Sequence, residues 1–435
     1  MRTHLCLTLA VTIRLAGACR SPDLVAPASR VGPPLAAVAN EPDALAISSN
    51  IQATHTPFGT VIDPVYGSGD PTSPAYTTLV GYSRAADAAI WTGHYLAAEA
   101  FRYNVTGSAD ALANVKREVD AIGALIEIPG TGVLARFAAP ASSPWTAGIV
   151  TGESQHGIYE GVWNGATQCW LGNTSRDQYT GVFFGLAVAY DMVPDAKLQK
   201  QIGKNISRML DFLLANGWNV PMPPEPVSTV CPHGSAYDVV STTFLQRPDQ
   251  RLAFLQIGRH VNPKRFDAAY LAERSASAPE VSLPVLTECQ DPHGSYYKFN
   301  LDYANLYNLV RLEEPTSPYR ALYLNAYQTL RGCTGTHQNA HFDAIDRALT
   351  GPDAARDAET QDLLGLWLDR PRRDYYKDLS TTYPVCGGRA CSPIPVNDRV
   401  NTDFLWQRSP FQLSGGKDGT IETAGIDYIL PYWMS

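Results

Sequence analysis

The sequence predicts an all-α protein, an (α/α)6-type toroid of consecutive helical hairpins with long irregular loops. Three observations carry this. Apolar residues recur at helical spacing in neighbouring pairs of segments joined by short breaks. In the clearest pairs the first segment is small and apolar and the second amphipathic, the pattern of a buried helix followed by a surface helix. Long stretches rich in Gly, Pro and aromatic residues lie between the pairs, where a compact domain places its functional loops.

The first pair covers 84–104 and 108–127. The former carries Ala85, Ala86, Ala88, Ala89, Ala97, Ala98 and Ala100. The latter sets Leu112, Val115, Val119, Ile122 and Ile126 on one stripe, with Lys116, Arg117 and Glu118 between them. Thr106-Gly107 breaks the chain and Ser108 is the expected N-cap. In the second pair, 174–192 and 195–216, Phe183, Phe184, Leu186 and Val188 precede a stripe of Leu198, Ile202, Ile206, Leu210 and Leu213, whose Lys197, Lys200, Lys204 and Arg208 face water. A weaker pair, 238–259 and 263–275, has Asn262-Pro263 as a cap and first-turn proline. Segments 299–312 and 318–331 follow, the latter opened by Ser317-Pro318, then 337–349 and 354–369, and a helix at 421–433 closes the ring. The intervening loops are 129–172, 217–237, 276–298 and 371–419.

Ahead of this domain, Arg2 and an apolar run from Leu5 to Ile13 lead to Leu15-Ala16-Gly17-Ala18-Cys19. That is the order of an export signal, and a Cys directly after small residues resembles a lipobox. Residues 1–18 are expected to be a signal peptide, Cys19 a lipid-anchoring position, 19–50 a flexible tether and 51–435 a single domain. The expected location is periplasmic or at the cell surface. A formal net charge of -8 argues against a nucleic-acid partner, and no further stretch is apolar for the ~18 residues of a membrane span. Beyond Cys6 and Cys19, Cys169, Cys231, Cys289, Cys333, Cys386 and Cys391 suit up to three disulfides, with Cys386–Cys391 a short loop closure and the other four open.

Ser83-Arg84-Ala85-Ala86-Asp87 through Trp91-Thr92-Gly93-His94-Tyr95, and Thr174-Ser175-Arg176-Asp177-Gln178-Tyr179-Thr180-Gly181, resemble inner-helix starts of six-hairpin glycosidase-like proteins. The resemblance spans most of 75–435. It implies carbohydrate chemistry (hydrolysis, elimination or epimerisation) with the active groups around one mouth, and it names no single reaction.

Paired carboxylates are the minimum equipment for glycoside hydrolysis. Glu153, Glu160, Asp177 and Asp87 are candidates, with Asp177 and Glu153 the expected acid/base pair acting on a carbohydrate substrate. Asp177, three residues after Thr174, also suits a helix cap. Loop 145–172 mixes Trp145, His156, Tyr159, Trp163 and Trp170 with glycines and carboxylates, a composition suited to stacking on sugar rings and bonding their hydroxyls. Gln178, and Asp403, Trp406 and Arg408 from segment 398–408, are expected to line the same mouth. An Asp403–Arg408 pair that locks the loop is the structural alternative.

A lyase would need a His or Tyr base and a cation to neutralise a uronate. His94, His156, Arg176, Arg399 and Arg408 are the candidates, although His94 falls on an apolar stripe with Ile90, Ala97 and Phe101 and reads as a core residue. A non-catalytic glycan- or protein-binding lipoprotein is the reading from another class. Cys231/His233, Cys289/His293 and Cys333/His337/His341 place cysteine near histidine three times, but oxidised cysteines do not ligate zinc and no Glu follows His337. No EF-hand spacing, P-loop or dinucleotide fingerprint occurs, so neither a transition metal nor a cofactor is expected, while calcium held by loop carbonyls and carboxylates stays open.

Overall fold

The computed structural model describes residues 41–294 and 296–435. The expected signal peptide, Cys19 and most of the tether lie outside the described residues. Residues 41–50, expected as part of the tether, are instead helix α1 (Glu41–Asn50), with Ala44, Ile47 and Ser48 buried. Ser48 Oγ donates to Glu99 Oε1 at 2.5 Å.

The chain is mostly helical. After α1 come α2 (Ala88–Thr106), α3 (Ala109–Glu127), the short α4 (Thr146–Gly152), α5 (Arg176–Met192), α6 (Ala196–Ala215), α7 (Pro248–Val261), α8 (Pro263–Ser277), the short α9 (Leu283–Glu288), α10 (Tyr296–Leu312), α11 (Pro318–Thr334), α12 (Ala340–Thr350), α13 (Ala354–Leu368) and α14 (Ile426–Met434). Contacts run from α2 to α5, α5 to α7, α7 to α10, α10 to α12, α12 to α14 and α14 back to α2. Against this cycle α3 packs on α2, α6 on α5, α8 on α7, α11 on α10 and α13 on α12. Composition explains the division. Small residues let α2 bury nearly all round, whereas α3 buries only Val115, Val119, Ile122, Ile126 and their flank, each such side chain contributing about 1.5–3 kcal/mol.

Turns from the first helix of a pair to the second are short and capped. Gly107 closes α2 in the left-handed region at φ 65 and Ser108 Oγ accepts Ala111 N; Asp195, Ser317 and Asp353 cap α6, α11 and α13. Asn262 precedes α8 without capping it, its amide donating instead to Ser207 Oγ at 3.4 Å.

The connections that lead into α2, α5, α7 and α14 are long and hold every strand among the described residues. β1 (Asp63–Tyr66), β2 (Leu79–Ser83), β8 (Arg373–Asp378) and β11 (Ser414–Glu422) form an antiparallel sheet in the order β2-β1-β11-β8. β3 (Phe137–Pro140), β4 (Ile158–Trp163) and β5 (Ala166–Leu171) form a second, ordered β3-β5-β4. Asn164 and Gly165, both at positive φ, turn β4 into β5, the tight hairpin turn that Asn-Gly favours. β6 (Asn219–Pro221) pairs β7 (Val240–Thr243), and β9 (Val385–Cys386) pairs β10 (Arg389–Ala390).

Two helix expectations change accordingly. The segment 238–259 opens as β7, where β-branched Val240, Thr242 and Thr243 suit a strand, and becomes helical only at Pro248. The segment 421–433 begins as the end of β11 and turns helical after Gly425. Disulfides join Cys169 to Cys231, Cys289 to Cys333 and Cys386 to Cys391. No helix among the described residues is long and apolar enough to cross a membrane.

Candidate active site

Glycines bring two helix starts together. A Cβ on Gly93 of α2 would stand 2.1 Å from Gly181 O of α5, and one on Gly185 would stand 2.1 Å from Gly93 O. Only glycine permits this backbone contact. The approach sets the first turn of α2 beside the first turn of α5. There Gln178, fully buried, spans the gap: its Oε1 accepts Ile90 N at 3.0 Å and its Nε2 donates to Asp87 Oδ1 at 2.9 Å. An N–H holding the amide oxygen fixes the amide, so that its NH2 faces Asp87.

Asp87 ends a one-turn 3-10 helix that is entered through Arg84 in the left-handed region, φ 59. A non-glycine residue in that region is uncommon, and Arg84 is anchored there by Asp63 at 2.9 Å and Asp374 at 3.2 Å. The Asp87 side chain keeps 38% of its surface accessible. Burial nevertheless pushes its carboxyl up to about 7, with the facing charges of Asp403, Asp177 and Glu153 adding to the effect and Arg136 opposing it. Accessibility and desolvation coexist because a recess floor can touch water while ringed by protein.

Arg136 lies beneath, 6% exposed. Its Nε donates to Asn173 O at 3.0 Å, Nη1 to Ala86 O at 2.9 Å and Nη2 to Ser175 Oγ at 2.7 Å, with Nη1 3.7 Å from Asp87 Oδ1. Ser175 Oγ in turn donates to Asp177 Oδ1, which also accepts Gln178 N at 3.1 Å. Asp177, in the first turn of α5, therefore holds a backbone N–H of that turn and still acts by its charge on Asp87, and its Oδ2 accepts no hydrogen bond from the described residues. Glu153, at the end of α4, accepts Gln155 Nε2 at 3.0 Å; burial pushes its carboxyl up, against the pull of that amide and of the Ala86 N–H. Asp403 arrives from the other end of the sequence and accepts Trp91 Nε1 at 3.0 Å, Thr402 Oγ1 at 2.5 Å and Phe404 N at 3.2 Å. Between Asp63, Arg84, Trp91 and Asp403 lies a cavity of about 10 Å³, room for about one water. His156, half-buried, is neutral at physiological pH, because burial and Arg136 push its imidazole down to about 4 despite Asp177.

Asp177, Glu153, His156 and Asp403 thus gather around Asp87. Other expected residues do not. Tyr159 and Trp170 oppose each other across β4 and β5 and stack at 4.4 Å, both buried. They pack the sheet and offer no face to a sugar. Trp406 is 0% exposed, with its indole N–H on Asp427 O. Gln178 is the exception, hydrogen-bonded to Asp87 but buried away from solvent. Trp163 sits partly buried beside the Asn164-Gly165 turn, Trp145 packs edge-on against Tyr82 at 6.0 Å, and exposed Glu160 accepts Ser228 Oγ at 2.7 Å. Arg408 is exposed and donates to Thr402 Oγ1 at 3.0 Å, and no Asp403–Arg408 ion pair occurs among the described residues. His94 is a core residue, its ring bonded to Ile90 O at 2.9 Å and Asn300 at 3.4 Å.

Arg136 and Trp91 were not singled out from sequence. Arg136 carried a signal, as the one charge in the apolar run Val133–Ala139. Among the described residues no three His, Cys, Asp or Glu side chains are arranged to hold a metal ion. An open groove of about 580 Å³ between α6 and the α7–α8 turn is lined by cations, but Arg208 and Lys204 pair with Glu127 and Arg265 with Asp211. Its one lining carboxylate, Asp211, is taken up by Arg265. Comparison with protein-family models, curated proteins and solved structures gives no match for this chain.

Proposed function

We propose that the chain is an exported carbohydrate-active hydrolase on an (α/α)6 toroid, with Asp87 as general acid and Asp177 as the base carboxylate. The observation that carries this reading is the accessible Asp87 carboxyl, held protonated near neutrality with three other carboxylates facing it. Hydrolysis needs such a division, one carboxyl to protonate the leaving oxygen and one carboxylate to activate water or attack. Asp177 suits the second role because one oxygen is fixed by Ser175 and Gln178 while the other is open. Glu153, first expected as the partner of Asp177, becomes a third acid beside Ala86 that sustains the field on Asp87.

The cyclic contact order of α2, α5, α7, α10, α12 and α14 supports the toroid. Three disulfides support an oxidising compartment, and a lipid anchor at Cys19 remains part of the proposal. The test is incubation with neutral and uronic polysaccharides, following reducing ends and unsaturated products. Reducing ends alone, abolished in Asp87→Asn and Asp177→Asn proteins that remain folded, are expected. Unsaturated products would replace this reading with a lyase, and glycan binding with neither product would make the chain a binding protein.

A further inference from the structure

We infer that the open groove along α6 docks an acidic polysaccharide, a chain with a carboxylate on successive sugars. The inference rests on the reading of the chain as an exported carbohydrate-active protein and adds a second glycan contact outside the recess.

Charge is spread unevenly over the outer helices. The neighbours α3 and α8 mix signs, with Asp110, Lys116, Arg117 and Asp120 on the one and Lys264, Arg265, Asp267 and Glu273 on the other. From Ala196 to Leu210, α6 carries Lys197, Lys200, Lys204 and Arg208 and no carboxylate, in a chain whose formal net charge is -8. Lys200, Lys204 and Arg208 follow at four-residue spacing, so they share a face and stand about 6 Å apart along the axis. Lys197 lies in the first turn, where the helix dipole also favours an anion.

That face borders a groove of about 580 Å³, closed on its other side by Val261, Asn262 and Arg265 at the α7–α8 turn. Its depth comes from small residues, Ala196, Gly203 and Ser207; a Cβ on Gly203 would meet only Val261 O, at 4.0 Å. The bordering carboxylates are already answered. Lys204 and Arg208 share Glu127 Oε1 at 2.7 and 2.6 Å, and Arg265 holds Asp211 at 2.6 Å. Asp195 accepts the first N–H groups of α6 and pairs with Lys116, and Asp120 accepts Gln201 Nε2. Lys200 is exposed and has no ion pair among the described residues. One carboxylate between Lys204 and Arg208 therefore leaves positive charge in excess along the row, and exposed pairs of this kind are weak enough to exchange partners.

Shape and spacing choose the occupant. A row of cations beside a trough fits a linear polyanion whose charges repeat along its length, and Lys and Arg donors suit carboxylates. A flat anionic surface would meet the row and leave the trough empty. The acidic chain as a whole disfavours nucleic acid. Tyr190, which lines the groove, lies about 20 Å along α5 from Asp177 at the helical rise of 1.5 Å per residue, so the groove holds glycan away from the acids of the recess.

The experiment measures binding by calorimetry in the Asp87→Asn protein, where the hydrolase reading stops turnover, with galacturonate and gluco-hexasaccharides as probes. We expect the galacturonate hexamer to bind about 10-fold or more tightly at low salt, the advantage to shrink as salt is added, and Lys200→Glu combined with Lys204→Glu to remove it. Both side chains are exposed, so Tm should stay nearly unchanged, and Lys200→Ser, which breaks no ion pair, should show the same loss in smaller measure. In an otherwise wild-type protein the double reversal should leave cleavage of short neutral oligomers unaltered. No preference for galacturonate, or a preference that survives the reversal, overturns the inference and leaves the hydrolase standing. Capture of phosphatidylglycerol vesicles through these lysines, in place of the galacturonate hexamer, names a lipid surface and overturns it as well. Galacturonate bound through these lysines by a wild-type protein that cleaves no glycan upholds the groove and removes the hydrolase.

Discussion

Two places at the starts of inner helices gather several carboxylates around one arginine, and they differ in how the arginine is used. At the start of α7, Arg247 holds Asp249 through two bonds of 3.0 and 2.9 Å, Glu288 at 2.8 Å and Asp302 at 2.5 Å, and all four side chains are nearly excluded from solvent. Burial pushes the Asp302 carboxyl well up against the pull of Arg247, and Glu288 adds to the rise both by its charge and by a hydrogen bond. At the start of α2, Arg136 gives its nitrogens to backbone and hydroxyl oxygens and leaves Asp87 at 3.7 Å. The first cluster is closed and directly paired. The second holds Asp87 only by a long ion pair and leaves it reachable. Similar composition therefore yields a structural knot in one place and an accessible recess in the other, and the geometry of the cation decides which.

Removing a carboxyl from the recess should have the largest effect. Asp87→Asn is expected to lower kcat on a cleaved glycan by about 10²–10⁴-fold, the usual worth of a general acid. Stability should move the other way. A carboxyl whose folded value is about 7, against an ordinary value of 3.8, takes up a proton on folding between those limits. Its contribution is present at low pH and lost as pH rises through 7. Above pH 7 the ionised Asp87 opposes folding, so Asp87→Asn should melt higher than wild type at pH 8 and about equally at pH 4. A lower Tm at pH 8 would show that Asp87 is a structural acid.

The opposite outcome is expected at α7. Arg247→Met would leave Asp249, Glu288 and Asp302 buried without their cation, a loss of about 3–5 kcal/mol, read as a lower denaturation midpoint with kcat nearly unchanged where the protein stays folded. If kcat falls as far as in Asp87→Asn, the two clusters are not functionally distinct. The recess side also depends on a covalent clasp. Cys169–Cys231 closes a separation of 62 residues and ties the loop after β6 onto β5, where Asp238 N bonds Asn173 Oδ1 at 3.2 Å. Replacing both cysteines by serine should cost about 2–4 kcal/mol, and limited proteolysis should cut first within 222–239.

These contrasts were unevenly legible in the sequence. Helix pairs were readable because a 3.6-residue period and the difference between alanine-rich α2 and striped α3 are local properties. Strands were harder because the aromatic residues of 145–172 suggested sugar subsites. Yet Ile158–Trp163 and Ala166–Leu171 flank Asn164-Gly165, a hairpin signal, and the pairing of Tyr159 with Trp170 explains that ring density as sheet packing. Asp177 was visible as a helix-start acid, but the start falls one residue later than Thr174 predicts, with Ser175 at the N-cap and Asp177 accepting Ser175 Oγ and Gln178 N. Asp87 stood only as one of four candidate carboxylates, since its importance comes from Asp403, whose bond to Trp91 spans 312 residues. Such convergence leaves no local pattern.

The smallest effect is expected at Gln178, which distinguishes positioning from packing. Its amide donates to Asp87 Oδ1 while Ile90 N holds its oxygen, and a donor to a carboxylate favours the ionised form. Gln178→Met keeps the volume and removes the donor. The Asp87 carboxyl should then hold its proton to higher pH, by about half to one unit for a lost hydrogen bond of about 1 kcal/mol. Because the general acid works protonated, the alkaline limb of kcat against pH should move upward from about 7, with a modest drop in kcat below it. A residue that merely packs α2 against α5 would lower kcat equally at every pH. Gln178→Glu sharpens the distinction, since an ionised neighbour should move the same limb further, whereas an unmoved limb in both variants would confine Gln178 to packing.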